Sequence, residues 1–132
     1  MEHAGLLNTI LVCGVPVLQW QGVLNPPTIA SCQRILQSLA RNGYREVVID
    51  LQKVSIGAPR ELQRLLSVLE KILPVHTLAE VVLPVGSSVT RQPKRLRLAS
   101  SVTCALSHIT RLPVVSLQAA QITQVRWIED QG

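Results

Sequence analysis

Few residues of this chain have both the type and the spacing for chemistry. Cys104 and His108 stand four positions apart. On a helix they would share one face, a geometry that can hold a metal ion. Two ligands do not complete a site, so the expectation is a small thiol beside a solvent-facing imidazole, with no metal. Asp50, either His76 or His108, and a serine would be the parts of a nucleophilic triad. Nothing in their spacing brings them together, and no Gly-x-Ser-x-Gly elbow is present. Asp50 is expected to cap the turn after a strand, and His76 to face solvent. Cys13, Cys32 and Cys104 form no C-x-x-C pair. Neither a zinc site nor a dithiol redox site is suggested, and the thiols read as small hydrophobes in a reducing compartment. Gly86-Ser87-Ser88 could offer amides to a phosphate. The dinucleotide and Walker patterns are both missing, so a small-residue turn is expected there. No enzyme activity and no cofactor are expected.

The charge is more informative. Residues 1–90 carry seven Lys/Arg against six Asp/Glu, and residues 91–132 carry six against two. The net charge of +5 therefore lies mostly in the last third. Arg91, Lys94, Arg95 and Arg97 fall in one short tract. Such a tract can meet phosphate, an anionic membrane or an acidic protein, or be a solvated loop. Arg95 and Arg97 upstream of Ser100 also form a pattern that a basophilic kinase reads. Four cations alone do not argue DNA binding. Aromatic residues make up only 2% of the chain, with no Phe. That counts against RNA-binding sheets and single-strand grooves, which stack bases on rings.

The elements that must hold these residues follow from the apolar pattern. With 132 residues and a 47% hydrophobic fraction, the chain is expected to be a single domain over 1–132, with its core at about 8–125 and a tail at 126–132. No stretch approaches the roughly 20 apolar residues of a membrane span. The first residues lack a secretory pattern, so a cytoplasmic protein is expected. Residues 8–13 and 15–20 read as a hairpin about Gly14, with Pro16 marking a strand start or an edge. Asn25-Pro26-Pro27-Thr28 opens a helix that Asn42-Gly43 closes. The run 46–51 suits a central strand covered on both faces. Pro59 opens a second helix and Pro74 ends it. Residues 78–85 read as a strand, 86–97 as a polar loop, and 98–109 as a short helix. Pro113-Val114-Val115 reads as a last strand, with Ser116 capping a helix over 117–127. The order β-β-α-β-α-β-α-β-α predicts an α/β domain: a mixed, largely parallel sheet of four to five strands flanked by about four helices.

Several segments together resemble the STAS family, the domain of sulfate transporters and anti-sigma factor antagonists. Residues 17–24 (VLQWQGVL) are similar to its strand ending in a Gly-x-Leu turn. The helix 28–41 with Asn42-Gly43 comes next. Residues 47–54 (VVIDLQKV) resemble its Asp-bearing central strand, and 112–120 its last strand and helix. The resemblance implies recognition of a partner protein through the turn before the second helix. It also implies a phospho-acceptor there, and here the chain departs. Pro59 stands where the hydroxyl would be, and Ala58 where an acidic residue would be. Ser55 is the nearest hydroxyl and the candidate phosphorylation site. Ile56, Arg60 and Arg64 are the candidate partner-binding residues. The expected function is a non-catalytic, phosphorylation-independent adaptor or scaffold subunit, binding a regulatory kinase-like, transcriptional or membrane-complex protein. Self-association through an edge strand of the first hairpin is a further expectation. The alternative is a basic α/β module that binds nucleic acid or an anionic surface through residues 91–97.

Overall fold

The computed structural model describes residues 6–112 and 122–124. Nine elements follow in order: β1 (Leu6–Val12), β2 (Val15–Val23), α1 (Pro26–Arg41), β3 (Glu46–Ser55), α2 (Pro59–Ile72), β4 (Leu78–Val82), β5 (Leu96–Ala99), α3 (Val102–Thr110) and β6 (Ile122–Gln124). The six strands form one sheet in the order β5-β4-β3-β2-β1-β6. β2 to β5 are parallel, while β1 runs antiparallel to β2 and to β6.

The hairpin turns through Cys13 and Gly14, both at positive φ (53° and 79°), as a two-residue type I′ turn requires. Pro16 lies opposite Leu11, before the pairing of β2 with β3 begins at Val17. Its missing N–H therefore costs that ladder nothing. β2 is an interior strand, so Pro16 marks a strand start and not an edge.

β3 sits at the centre of the sheet and is covered on both faces. Val47, Ile49 and Leu51 point to α1 and α2, and Val48 to the side covered by α3. Period-two alternation of a nearly continuous apolar run gives this three-layer packing. Asn25 Oδ1 accepts the Thr28 N–H at 3.0 Å and caps α1, which buries Cys32, Ile35, Leu36 and Leu39. Gly43 (φ 91°) supplies the left-handed residue after the helix. α2 buries Leu62, Leu65, Leu66 and Leu69. Each fully buried leucine contributes about 1.5–3 kcal/mol of transfer free energy.

Three expectations change. Residues 96–99 are a strand, not loop and helix: Leu96 is buried, Arg97 exposed, and the pair alternates as a strand does. Leu98 fits helical spacing to Val102, but Ser101 caps α3 by accepting the Cys104 N–H at 3.0 Å, so the helix starts only after it. Residues 122–124 fall inside the expected terminal helix and instead pair with Ile10–Val12, where β-branched Ile122 and Thr123 suit a strand. That pairing covers part of the β1 edge on which hairpin-mediated self-association depended. The sheet thus has six strands, and three helices stand among the described residues. The expected strand at 113–115, the Ser116 cap, most of the helix 117–127 and the tail 126–132 lie outside the described residues.

Candidate interaction site at the β3–α2 turn

The C-terminal end of β3 outruns its neighbour. β4 pairs with β3 only as far as Asp50, whereas β2 stays paired with it to Ser55. Midway, β3 holds an extra residue, since Gln19 faces Asp50 but Gln21 faces Lys53. Asp50 Oδ1 accepts the Gln52 N–H at 3.0 Å and steadies this bulge. Partial burial raises the Asp50 pKa, with the Gln52 N–H and Lys53 acting against it. The carboxylate thus caps an irregularity within its own strand.

Beyond the sheet, β3 turns into α2 through Ile56, Gly57 and Ala58. Pro59 is the first residue of the helix, where a missing N–H is harmless. Ala58 has no side chain to cap the helix. Glu61 reaches back instead, and its Oε1 accepts the Gly57 N–H at 2.8 Å and the Ala58 N–H at 3.2 Å. Amides at a helix N-terminus form an anion site. Here the chain's own carboxylate fills it.

Two pockets flank the turn. One, of about 500 Å³, lies between α2 and the start of α1. Val23, Leu24, Ile29, Leu65 and Val68 make its apolar wall, and Ser55, Glu61 and Arg64 its rim. The other, of about 490 Å³, opens where β4 stops short and is lined by Ile56, Ala58 and the 84–88 segment. The structure thus brings Ser55 and Arg64 to one pocket and Ile56 to the other. Arg60 is exposed on the first turn of α2 and lines neither. The apolar wall escaped the sequence reading because Val23, Leu24 and Val68 come from two separate elements. Glu61 could have been found: it stands three residues after Ala58, the spacing of a capping box.

The other candidates separate. Ser87 Oγ donates to Pro84 O at 2.6 Å, so Gly86-Ser87-Ser88 is a closed turn. His108 Nδ1 lies 3.0 Å from buried Glu80, and the Cys104 Sγ lies 3.6 Å from Ser100 Oγ. The pair therefore faces different partners. Hydrogen bonds from Ser101 and Ser100 lower the Cys104 pKa. Among the described residues, no group of three metal-ligating side chains exists. His76 is exposed in the α2–β4 turn, and His108 is held by Glu80 and not by Asp50, which bonds the Gln52 N–H. Burial pushes the Cys32 thiol up to about 12.

Of the basic tract, Lys94, Arg95 and Arg97 line one pocket at the N-terminal ends of β4 and β5, while Arg91 lies beside α2. Gln63 holds Arg91 through the backbone, donating to its carbonyl at 3.1 Å. The Arg95 guanidinium donates to Glu70 O, Leu73 O and Pro74 O at 2.8–3.1 Å, tying down the C-terminal end of α2. Arg97 pairs with Glu80 at 3.5 Å, and Lys94 is exposed.

No protein-family model and no curated protein matches the chain. Solved structures do match it, among them the crystal structure of an anti-sigma factor antagonist from Mycobacterium paratuberculosis, with a TM-score of 0.59 and 22% identity. The match covers 81% of this chain and 95% of that one. That likeness shows the fold of this chain, a STAS-like α/β domain.

Proposed function

We propose that this chain is a non-catalytic regulatory domain that binds another protein through the β3–α2 turn and the apolar pocket beside it, in a single state that needs no phosphorylation. The observation that carries this reading is the Glu61 carboxylate on the Gly57 and Ala58 amides. A turn already holding an internal anion is set without a phosphate, and Pro59 offers no hydroxyl to accept one. The solved neighbour of the same fold is named an anti-sigma factor antagonist, which supports a regulatory role exercised by binding. The titratable groups that would carry chemistry also serve the fold: Asp50 steadies a bulge, Glu80 joins β4 to α3 and β5, and Cys32 packs in the core.

The pocket favours a partner segment with aliphatic side chains and an acidic flank. Val23 stands 46% exposed at its mouth, Arg64 is on its rim, and Arg60 lies one helical turn before Arg64 on α2. Ser55 lies on the same rim. The test is a binding comparison between wild type, the V23D/R64E double variant, I56D, R60E and S55D, each checked for an unchanged melting temperature. Loss of the partner with V23D/R64E, and retention after phosphatase treatment, is the expected result. Retention by V23D/R64E, I56D and R60E alike would remove the site.

A further inference from the structure

The opposite end of the sheet, at the N-terminal ends of β3, β4 and β5, carries a second surface. Three aliphatic side chains stand out into solvent there: Val75 at 77% exposure, Leu78 at 64% and Leu112 at 41%. They come from the α2–β4 turn, the first residue of β4 and the segment after α3. Four cations lie among them, of which Arg95 is engaged by carbonyls at the end of α2. Lys94, Arg97 and Arg111 line, together with Leu78, one open pocket of about 370 Å³. Glu46 and Glu80 line its floor, and Glu80 is already paired with Arg97 and His108. Arg95 reaches Pro74 O from the same edge, which places the Val75 turn beside this pocket. No single segment of sequence shows the cluster, because its members lie as far apart as Val75 and Leu112.

We propose that this end of the molecule docks on an anionic lipid bilayer, with Lys94, Arg97 and Arg111 meeting headgroup phosphates and Val75, Leu78 and Leu112 entering the interface between them. The mixture of side chains distinguishes the partner. A nucleic acid would engage the cations and leave three bare aliphatics without a role, and among the described residues no aromatic ring lines the pocket for a base to stack on. A bilayer uses both: aliphatics bury in the headgroup boundary while cations are drawn to the negative surface. The surface is at the far end of the sheet from the β3–α2 turn, so docking there leaves that turn free.

The test is co-sedimentation of the purified chain with vesicles of phosphatidylcholine alone and of phosphatidylcholine with about 30% phosphatidylglycerol, at low and high salt. Binding to the anionic vesicles only, weakened by salt, is expected. K94Q/R111N removes two cations that make no ion pair among the described residues, and Asn tolerates the left-handed backbone of Arg111 (φ 62°). It should weaken binding roughly thirtyfold. V75S/L78S should weaken it as well, with the salt dependence unchanged. Circular dichroism establishes that both variants fold. Absence of binding to anionic vesicles, or equal binding to both compositions, overturns the proposal. So does a loss confined to the cation variant, or tighter binding to duplex DNA than to vesicles, since either would mark a polyanion site without insertion. Each outcome is independent of whether the V23D/R64E variant loses its protein partner.

Discussion

Replacing Glu61 by Ala tests the turn on which the interaction site depends. The Glu61 carboxylate accepts two backbone N–H groups, from Gly57 at 2.8 Å and Ala58 at 3.2 Å. Loss of an N-terminal cap costs about 0.5–2 kcal/mol. Loss of a negative charge at an exposed helix N-terminus costs a further 0.3–1 kcal/mol or so, screened by salt. Glu61 is exposed, so water can take over part of the amide hydrogen bonding, which sets the sum near 1 kcal/mol. For a domain of this size that lowers Tm by about 3–5 °C. E61Q keeps an oxygen acceptor and should lose roughly half as much. G57A offers an independent route to the same state, because a Cβ there would lie 2.8 Å from Glu61 Oε1 and must displace it. The two changes should therefore be non-additive: E61A/G57A should be scarcely less stable than E61A. Thermal unfolding gives the stabilities, and hydrogen exchange at the Gly57 and Ala58 amides gives the local readout. Full additivity, or unchanged exchange at both amides in E61A, would refute the account of this turn.

Three further outcomes are expected. L66A removes a fully buried side chain between α2 and the sheet and should cost about 2–5 kcal/mol in urea unfolding. R95K keeps the charge but not the planar fork that spans three carbonyls at the end of α2, so it should lose about 1 kcal/mol or more; a variant as stable as wild type would show that the fork is dispensable. Cys32 is held neutral in the folded state up to about 12, whereas a thiol in the unfolded chain ionises near 9.0. The unfolded state therefore releases its proton first as pH rises, and stability present below pH 9 is lost above it. Between pH 8 and pH 10 wild type should lose about 1.4 kcal/mol more than C32A, measured by urea unfolding at the two values.

The alternation of strands and helices was legible wherever one short segment carried a whole signal. Asn25-Pro26-Pro27 at one end and Asn42-Gly43 at the other bounded α1 correctly, and the nearly continuous apolar run 46–51 marked the strand covered on both faces. β5 was not legible, because Arg97 within it and Lys94 and Arg95 just before it gave the segment the look of a basic loop, and because Leu98 fell in step with the helix after it. The pairing of residues 122–124 with β1 is a long-range contact that no local pattern encodes. The site divides the same way. The turn before α2 could be located from Asp50 and Pro59, whereas the pocket wall of Val23, Leu24, Ile29 and Val68 exists only once α1 and α2 lie on one face. Similarly, the tract 91–97 read as one charge cluster, yet Arg95 is used as a helix cap and Arg97 as the partner of Glu80.

The most direct measurement of the central claim is partner capture with wild type, V23D/R64E and E61A, each with and without phosphatase treatment of both sides. A constitutive surface predicts one stoichiometric protein retained by wild type in both conditions, lost with V23D/R64E, and held more weakly by E61A. A partner that V23D/R64E retains, or one that wild type releases after phosphatase treatment, would contradict it.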